Sequence, residues 1–404
     1  MARTPASLPG GLRLSDYLSV GVIARVFPRE AVREALGRTG RGSVRQRALP
    51  ADVMMYYVIA MALFRQVSTR EVLRCLMEGL RWVSPDLVVR VSGKSSSWIS
   101  RARSRLGSTP FAALRESCVK PLAEPSTAGA WYRGHRLVAI DGSTLSVPDE
   151  EENRRSFGLP GSARGSAAFP KLRLSVLSEI GTRAPLAWCG GPLSESEMVQ
   201  AERLVPHLEP GMLVLADRYY GGFPLWSQAR ARGADLLWRV KSNMDFPVHE
   251  RFADGSWSSA LNGSGRDRRR SRGQSPVRVL SYRLPGSDDV FTLITTLLDP
   301  EAAPAAELAA LYHERWEIEI AYDEVKTHML GPGALLRSKT PALVLQELEG
   351  LMLAHYAVRR LIHEAAASAG ADPDRLSFLH AVNVVRRRIV HPGAFSPTAR
   401  DDKP

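Results

Sequence analysis

The segment from Pro304 to Leu330 constrains this chain more than any other. Residues 308–330 read LAALYHERWEIEIAYDEVKTHML, with Pro304 at the start and Gly331-Pro332-Gly333 at the stop, which predicts one long helix. Leu311, Ile318 and Val325 recur every seven residues with Met329 close by, forming a single apolar stripe that must lie on a core. Beside that stripe run Tyr312, Arg315, Glu319 and Lys326. At roughly 100° per residue their side chains fall within an arc of about 60°. The same rotation turns Glu314, Glu317 and Glu324 roughly 120° to 200° away from Tyr312, and leaves Glu319 and Asp323 about 20° to either side of it. Glu319 is the preferred acid and Asp323 the fallback. A carboxylate flanked by Arg and Lys suits a metal ion beside a phosphate, although a solvated charged face would show the same pattern.

Upstream, two apolar runs each lead into an aspartate. LVAI (Leu137–Ile140) precedes Asp141, and MLVLA (Met212–Ala216) precedes Asp217. Each Asp could be a simple turn former. Between them RLSVLSEI (Arg173–Ile180) alternates as a half-buried strand, and Ser194 with Glu197 has capping-box spacing for a helix to about His207. Leu225 to about Arg232 reads as helix and LLWRV (Leu236–Val240) as strand. Strand, strand, strand, helix, strand, helix, strand is the order of an RNase H-like α/β core.

Residues 1–125 read as helical, through Tyr17–Phe27, Met54–Phe64 and Val72–Leu80. They end in SGKSSSWISRARSRLG, where a Ser cluster precedes Trp98, Arg101, Arg103 and Arg105. That pattern fits a helix-turn-helix recognition element, or equally a basic surface helix. Residues 243–298 carry GRDRRRSRG (Gly265–Gly273) and a hairpin, VRVLSYRL against VFTLITTLL, around Pro285-Gly286-Ser287-Asp288. They predict a β-rich insertion that divides the core into residues 126–242 and 299–335, followed by a C-terminal helical region, 336–404.

The net charge of +12 favours a polyanionic partner. Seven lysines stand against 47 arginines, which makes a lysine at position 326 less ordinary. Cys75, Cys118 and Cys189 are isolated, disfavouring structural zinc and disulfides. With no apolar run of membrane length and no signal-peptide core, the expectation is a soluble cytoplasmic protein with no membrane partner.

Asp141, Asp217 and Glu319 together form a sensible metal site. Neighbouring parallel strands would bring the two aspartates close, and a helix on that sheet would deliver Glu319. Three hard oxygen donors suit Mg²⁺, with Mn²⁺ able to substitute, and two such ions promote an in-line displacement at phosphorus. Arg315 and Lys326 would then hold phosphates, with Tyr312 adding a hydrogen bond.

These residues resemble a known family. The spacing Y-x2-R-x3-E-x6-K, met by Tyr312, Arg315, Glu319 and Lys326, is similar to the signature of DDE transposases of the insertion-sequence-four family. AIDGSTLSVPDEEENRRSFG, LVLADRYYGGFPLW and LRSKTP resemble its blocks around the first Asp, the second Asp and after the signature, and KSSSWISRARSRLG resembles the end of its N-terminal region. Tyr219 departs from the small or other residues frequent in such blocks.

The resemblance implies an RNase H-like core with a β insertion. It implies that Asp141, Asp217 and Glu319 are catalytic and bind two Mg²⁺ ions, and that the substrates are double-stranded element ends and target DNA, with no small-molecule substrate. It further implies a homodimer that cuts and joins strands through a hairpin. Arg218, Trp98, Arg101 and Arg103 are expected DNA contacts, and Trp316 and Trp257 are candidates to hold a displaced base. The alternative is a domesticated or inactive relative that only binds DNA.

Overall fold

The computed structural model describes residues 23–43, 49–83, 97–162, 165–166, 169–263, 273–283 and 290–387. Most of Tyr17–Phe27, Ser95 and Ser96, most of the Arg-rich 265–273 segment, the 285–288 turn and the C-terminal tail lie outside these residues. Among the described residues, residues 23–26 are helical and are followed by α1 (Arg29–Arg38), α2 (Ala51–Leu63), α3 (Thr69–Val83), α4 (Ser97–Leu106) and α5 (Thr109–Cys118). After the short β1 (Trp131–Tyr132) and the long β2 (His135–Ser146) come α6 (Glu151–Phe157) and the two-residue strands β3 (Gly161–Ser162) and β4 (Gly165–Ser166). Then follow β5 (Lys171–Glu179), β6 (Pro185–Pro192), α7 (Glu197–Leu204), β7 (Met212–Ala216), α8 (Phe223–Ala231) and β8 (Asp235–Arg239). The chain continues through β9 (Glu250–Arg251), β10 (Trp257–Asn262), β11 (Gln274–Arg283) and β12 (Val290–Thr295). It closes with α9 (Ala305–His313), α10 (Trp316–Asp323), a π-helical turn (Glu324–Met329), α11 (Pro341–Ala369) and α12 (Phe378–Arg387).

The architecture is mixed α/β around one large sheet, in the order β6-β5-β2-β7-β8-β12-β11-β10-β9. Strands β2, β7 and β8 are parallel neighbours, and the remaining pairs along the sheet are antiparallel. Alternation sorts the central strands between two cores. Leu137, Ala139, Leu213 and Leu215 join the core beneath the N-terminal helices and α11. Val138, Ile140, Val214 and Ala216 join the opposite core, packed with Trp226 of α8 and its edge-on neighbour Trp238. Both faces are covered, so β5 is not half-buried as its alternation suggests: every residue from Leu174 to Glu179 is buried.

The segment expected as a β insertion does form strands. They extend the central sheet, because β12 pairs antiparallel with β8 (Ile294 with Trp238) and β11, β10 and β9 follow outward. The N-terminal helices likewise share a core with the sheet. Helix α2, ADVMMYYVIAMAL, is apolar all round and buried from Val53 to Leu63, as such a helix must be. It crosses α11 so closely that a Cβ at Gly350 would lie 2.6 Å from the Val58 carbonyl oxygen. The compositional boundary near residue 125 is therefore not a gap in packing. Helix α7 is capped by Ser196, whose hydroxyl accepts from the Val199 N–H, and not by Ser194. Among the described residues no helix is long and apolar enough to cross a membrane.

Candidate active site

Parallel register brings the two aspartates together. Ile140 pairs with Ala216, so Asp141 and Asp217 are the next residues along adjacent strands. The strands then part company. β7 stops at Ala216, where the Asp217 carboxylate turns the chain by accepting from the Tyr219 N–H at 2.7 Å. β2 continues on β5 alone to Ser146, so Asp141 lies within its strand and not at its end as the apolar run suggested. Loss of one neighbour opens a crevice at the carboxyl ends of the parallel strands, where α/β sheets commonly bind ligands.

The segment from Pro304 to Leu330 closes that crevice, but not as one helix. The backbone tightens at residues 314–318, where Glu314, Arg315, Glu317 and Ile318 each donate to a carbonyl three residues back. It loosens again in the π-helical turn, where Leu330 donates five back to Val325. Uniform rotation is therefore not what aligns the stripe. A tight turn and a loose one occur in succession, and Ile318, Val325 and Met329 all remain in the core.

On this segment the Arg315 guanidinium bridges two acids, donating to Glu319 Oε1 at 2.8 Å and lying 3.7 Å from Asp141 Oδ2. Burial alone would lower the Arg315 pKa, but Tyr312, Asp141 and Glu319 together hold it above its ordinary value. Asp141 Oδ1 accepts from the Gly142 N–H at 2.8 Å. Burial pushes the Asp141 carboxyl up to about 6. The Gly142 N–H and Arg315 oppose the rise, and the charges of Asp217 and Glu319 add to it. Lys326 donates to the Ser143 hydroxyl two residues beyond Asp141, and burial followed by the charge of Lys171 lowers its pKa.

The expected residues divide sharply by position. Asp141, Asp217, Glu319, Arg315 and Lys326 face the crevice. Tyr312 does not: it is buried, and its hydroxyl donates to the Ala216 carbonyl at 3.3 Å, pinning α9 to the end of β7. Asp323 is exposed and accepts from Thr327 at 2.5 Å. Trp316 is 58% exposed, so packing does not explain it. Trp257 is half-buried, donating to the Phe246 carbonyl at 3.2 Å. Arg218 is exposed. On α4, Trp98 and Arg101 are exposed and stacked, with the guanidinium 5.4 Å from the ring centroid. Arg103, expected on DNA, is 6% exposed and donates to Gln346 Oε1 at 2.8 Å, Ser338 Oγ at 2.9 Å and the Leu343 carbonyl at 3.1 Å. It anchors α4 to α11, and its helix can present to DNA only the side carrying Trp98 and Arg101.

Two supporting contacts had no signal in the sequence. The Tyr322 hydroxyl donates to the Asp141 carbonyl at 2.6 Å, 181 residues away, holding α10 against β2. Glu324, buried at the start of the π turn, accepts from Arg359 Nε at 2.8 Å and lies 3.6 Å from Arg183. Burial pushes the His355 imidazole down to about 3, so it is neutral, and its Nε2–H donates to Glu324 at 2.9 Å.

Among the described residues no three His, Cys, Asp or Glu side chains lie close enough to hold a metal ion as arranged. The chemistry of the crevice nonetheless fits a divalent cation. Its donors are all carboxylates, the hard oxygen ligands that such ions prefer, and one guanidinium serves both Asp141 and Glu319.

The chain matches two families: "Insertion element 4 transposase N-terminal" over residues 17–116 and "Transposase DDE domain" over residues 132–357. The transposase InsG for insertion sequence element IS4, from Escherichia coli (strain K12), is 29% identical over 396 residues, covering 95% of this chain and 84% of the relative. The putative transposase InsZ of the same organism is 26% identical over 222 residues, covering 54% of this chain and 71% of its own. Among solved structures, the piggyBac transposase synaptic complex with hairpin DNA aligns with a TM-score of 0.49 at 12% identity, covering 95% of this chain and 83% of that one.

Proposed function

The chain belongs to the DDE transposases of the insertion-sequence-four family, and we propose that it acts as a dimer on the two ends of its own element. It binds the terminal inverted repeats, cuts them, and joins the freed ends to target double-stranded DNA. The observation that carries this reading is that Asp141 and Asp217 follow the paired residues Ile140 and Ala216 of β2 and β7, with Arg315 linking Asp141 to Glu319 and Lys326 donating to Ser143. In this reading the sheet and the helices on it form an RNase H-like core, with residues 243–298 inserted between the second Asp and the Glu.

Asp141, Asp217 and Glu319 would hold Mg²⁺, which supplies activation of a water or 3′-hydroxyl and stabilises the leaving oxygen of an in-line displacement. The protein's own groups do the rest. Arg315 turns from the two carboxylates it bridges to the phosphate of the cleaved strand, where its planar fork matches phosphate oxygens. Lys326, already oriented by Ser143 on β2, adds a point charge on the same backbone. Arg218 and the exposed edge of α4, Trp98 with Arg101, contact the duplex on either side. Water attacks first and frees a 3′-hydroxyl. That hydroxyl attacks the opposite strand to give a hairpin, and the opened end joins target DNA. Hairpin formation requires a base to leave the stack. Trp316, exposed immediately after Arg315, is the first candidate to hold it, and Trp257 is the second.

The test uses full-length protein, duplex DNA from the gene's flanks carrying its inverted repeats, and Mg²⁺. Asp141→Ala, Asp217→Ala and Glu319→Ala should each abolish cleavage while end binding persists, and chelation should do the same to wild type. Specific binding by wild type with no metal-dependent cleavage would replace this reading with a DNA-binding relative that has lost catalysis.

A further inference from the structure

Tyr219 sits two residues after Asp217, and its side chain is 44% exposed whereas that of Tyr220 is wholly buried. Its position is fixed by the turn that ends β7. The Tyr219 N–H donates to Asp217 Oδ1 at 2.7 Å, so the ring stands at a set place beside that carboxylate. The buried Tyr220 ring supports it edge-on, 5.8 Å between centroids at 86°. The following residue presses the turn onto the end of β8. A Cβ at Gly221 would lie 3.1 Å from the Arg239 carbonyl oxygen and 3.2 Å from Val240 Cγ1. That approach sets Lys241, just beyond β8, beside the turn, with its ammonium nitrogen 6.0 Å from the Tyr219 centroid.

An exposed aromatic ring, with one aromatic neighbour edge-on and a cation over it, has the chemistry of a base-stacking site with a phosphate contact alongside. Trp316 and Ile320 on α10, the helix that carries Glu319, are likewise exposed. Arg218, adjacent and exposed, adds positive charge to the same rim. At 44% exposure the Tyr219 side chain is not a core residue, and its aromatic neighbour is the buried Tyr220.

We propose that Tyr219 stacks on an unpaired nucleobase of the DNA strand lying in the crevice, with Lys241 on that nucleotide's phosphate. This rests on the reading of the crevice as the strand-cleavage site. It goes further in assigning to the β7–α8 turn a preference for DNA whose bases have separated. Stacking of this kind tolerates any base, because every base presents a π face. The contact therefore selects unpaired structure and not sequence.

The experiment compares full-length wild type with Tyr219→Ala, Tyr219→Phe and Lys241→Ala on two probes at low salt: a forked duplex of arbitrary sequence and its fully paired counterpart. Tyr219→Ala should weaken forked-duplex binding by roughly 5- to 100-fold and leave paired-duplex binding unchanged. Tyr219→Phe should bind both probes as wild type does. Lys241→Ala should reduce the salt slope on the forked probe by about one unit. The proposal is overturned if Tyr219→Ala binds the fork normally, if it weakens both probes equally, or if Tyr219→Phe fails as Tyr219→Ala does. Wild type binding the fork and its paired form alike would also overturn it, whereas failure of the crevice reading is separately visible, because Asp217→Ala would then leave cleavage of flanking DNA intact.

Discussion

Two acid clusters lie five residues apart on the same stretch of chain, and they differ in how their charge is balanced. Glu319 is at a rim, its side chain 36% exposed, and one guanidinium serves both it and Asp141. Glu324 is inside, with Arg359 donating through two nitrogens, His355 through a third and Arg183 close by. The inner acid is buried and held by several donors at once, Arg183 being shared with Glu317 and Asp374, so its role is structural. The outer acids carry more negative charge than Arg315 neutralises, which is what a site needs if it is to take up a cation and then release Arg315 to a phosphate. Residue type does not distinguish the two clusters; the supply of buried donors does.

The contrast predicts that equivalent truncations fail in opposite ways. Glu319→Ala should lower strand cleavage by on the order of 10³-fold or more, while thermal unfolding stays near wild type. Glu324→Ala leaves Arg359 buried without its acid, while Arg183 keeps Glu317 and Asp374, so it should cost about 3–5 kcal/mol of stability, read by denaturant unfolding. A stable Glu324→Ala protein would end the distinction between the clusters.

The next effect sharpens it at the N-terminal helices. Arg103→Ala removes three buried hydrogen bonds, two from α4 to α11 and one to Ser338 just before it, and should cost about 3 kcal/mol with little change in the salt dependence of duplex binding. Arg101→Ala, on the exposed edge, should do the reverse, lowering the salt slope by about one without a stability change.

A pH experiment tests the claim that the outer cluster is under-compensated. The folded Asp141 carboxyl sits at about 6, above the ordinary 3.8. The folded state therefore binds this proton more tightly than the unfolded state does. The stability it contributes is present below about pH 4 and is lost as pH rises through 6. In metal-free buffer, Asp141→Asn should match wild type at pH 4 and unfold at a higher temperature at pH 7. Equal melting at both values would mean that Arg315 balances the cluster after all. The smallest effect belongs to Tyr312→Phe, which removes one 3.3 Å hydrogen bond to Ala216 and should cost about 1 kcal/mol, with cleavage nearly unchanged.

Much of this was legible in the chain. Apolar runs ending at Asp141 and Asp217 became adjacent parallel strands because both faces of β2 and β7 are covered, and covered strands are written as unbroken apolar residues. Local rules went wrong where a neighbour had the deciding vote. Arg103 reads as one of a row of surface arginines, and Gln346 and Ser338, more than 230 residues away, bury it. Ser194 has the spacing of a cap, yet Ser196 occupies the position where the chain leaves the sheet.

The sequence by itself determined which acids could act together. Unbroken apolar runs leading into Asp141 and Asp217 marked the two strands that carry them, and the apolar seam through Ile318 and Val325 fixed which edge of the long segment met the sheet. Both follow from burying apolar surface, a short-range pattern written in every residue. Tertiary structure decided how those acids are held. The tight turn at Arg315, the π turn at Glu324 and the hydroxyl of Tyr322 on the Asp141 carbonyl depend on partners 31 to 181 residues distant. Hydrogen bonds and ion pairs at that separation leave no periodicity behind, so no local pattern records them.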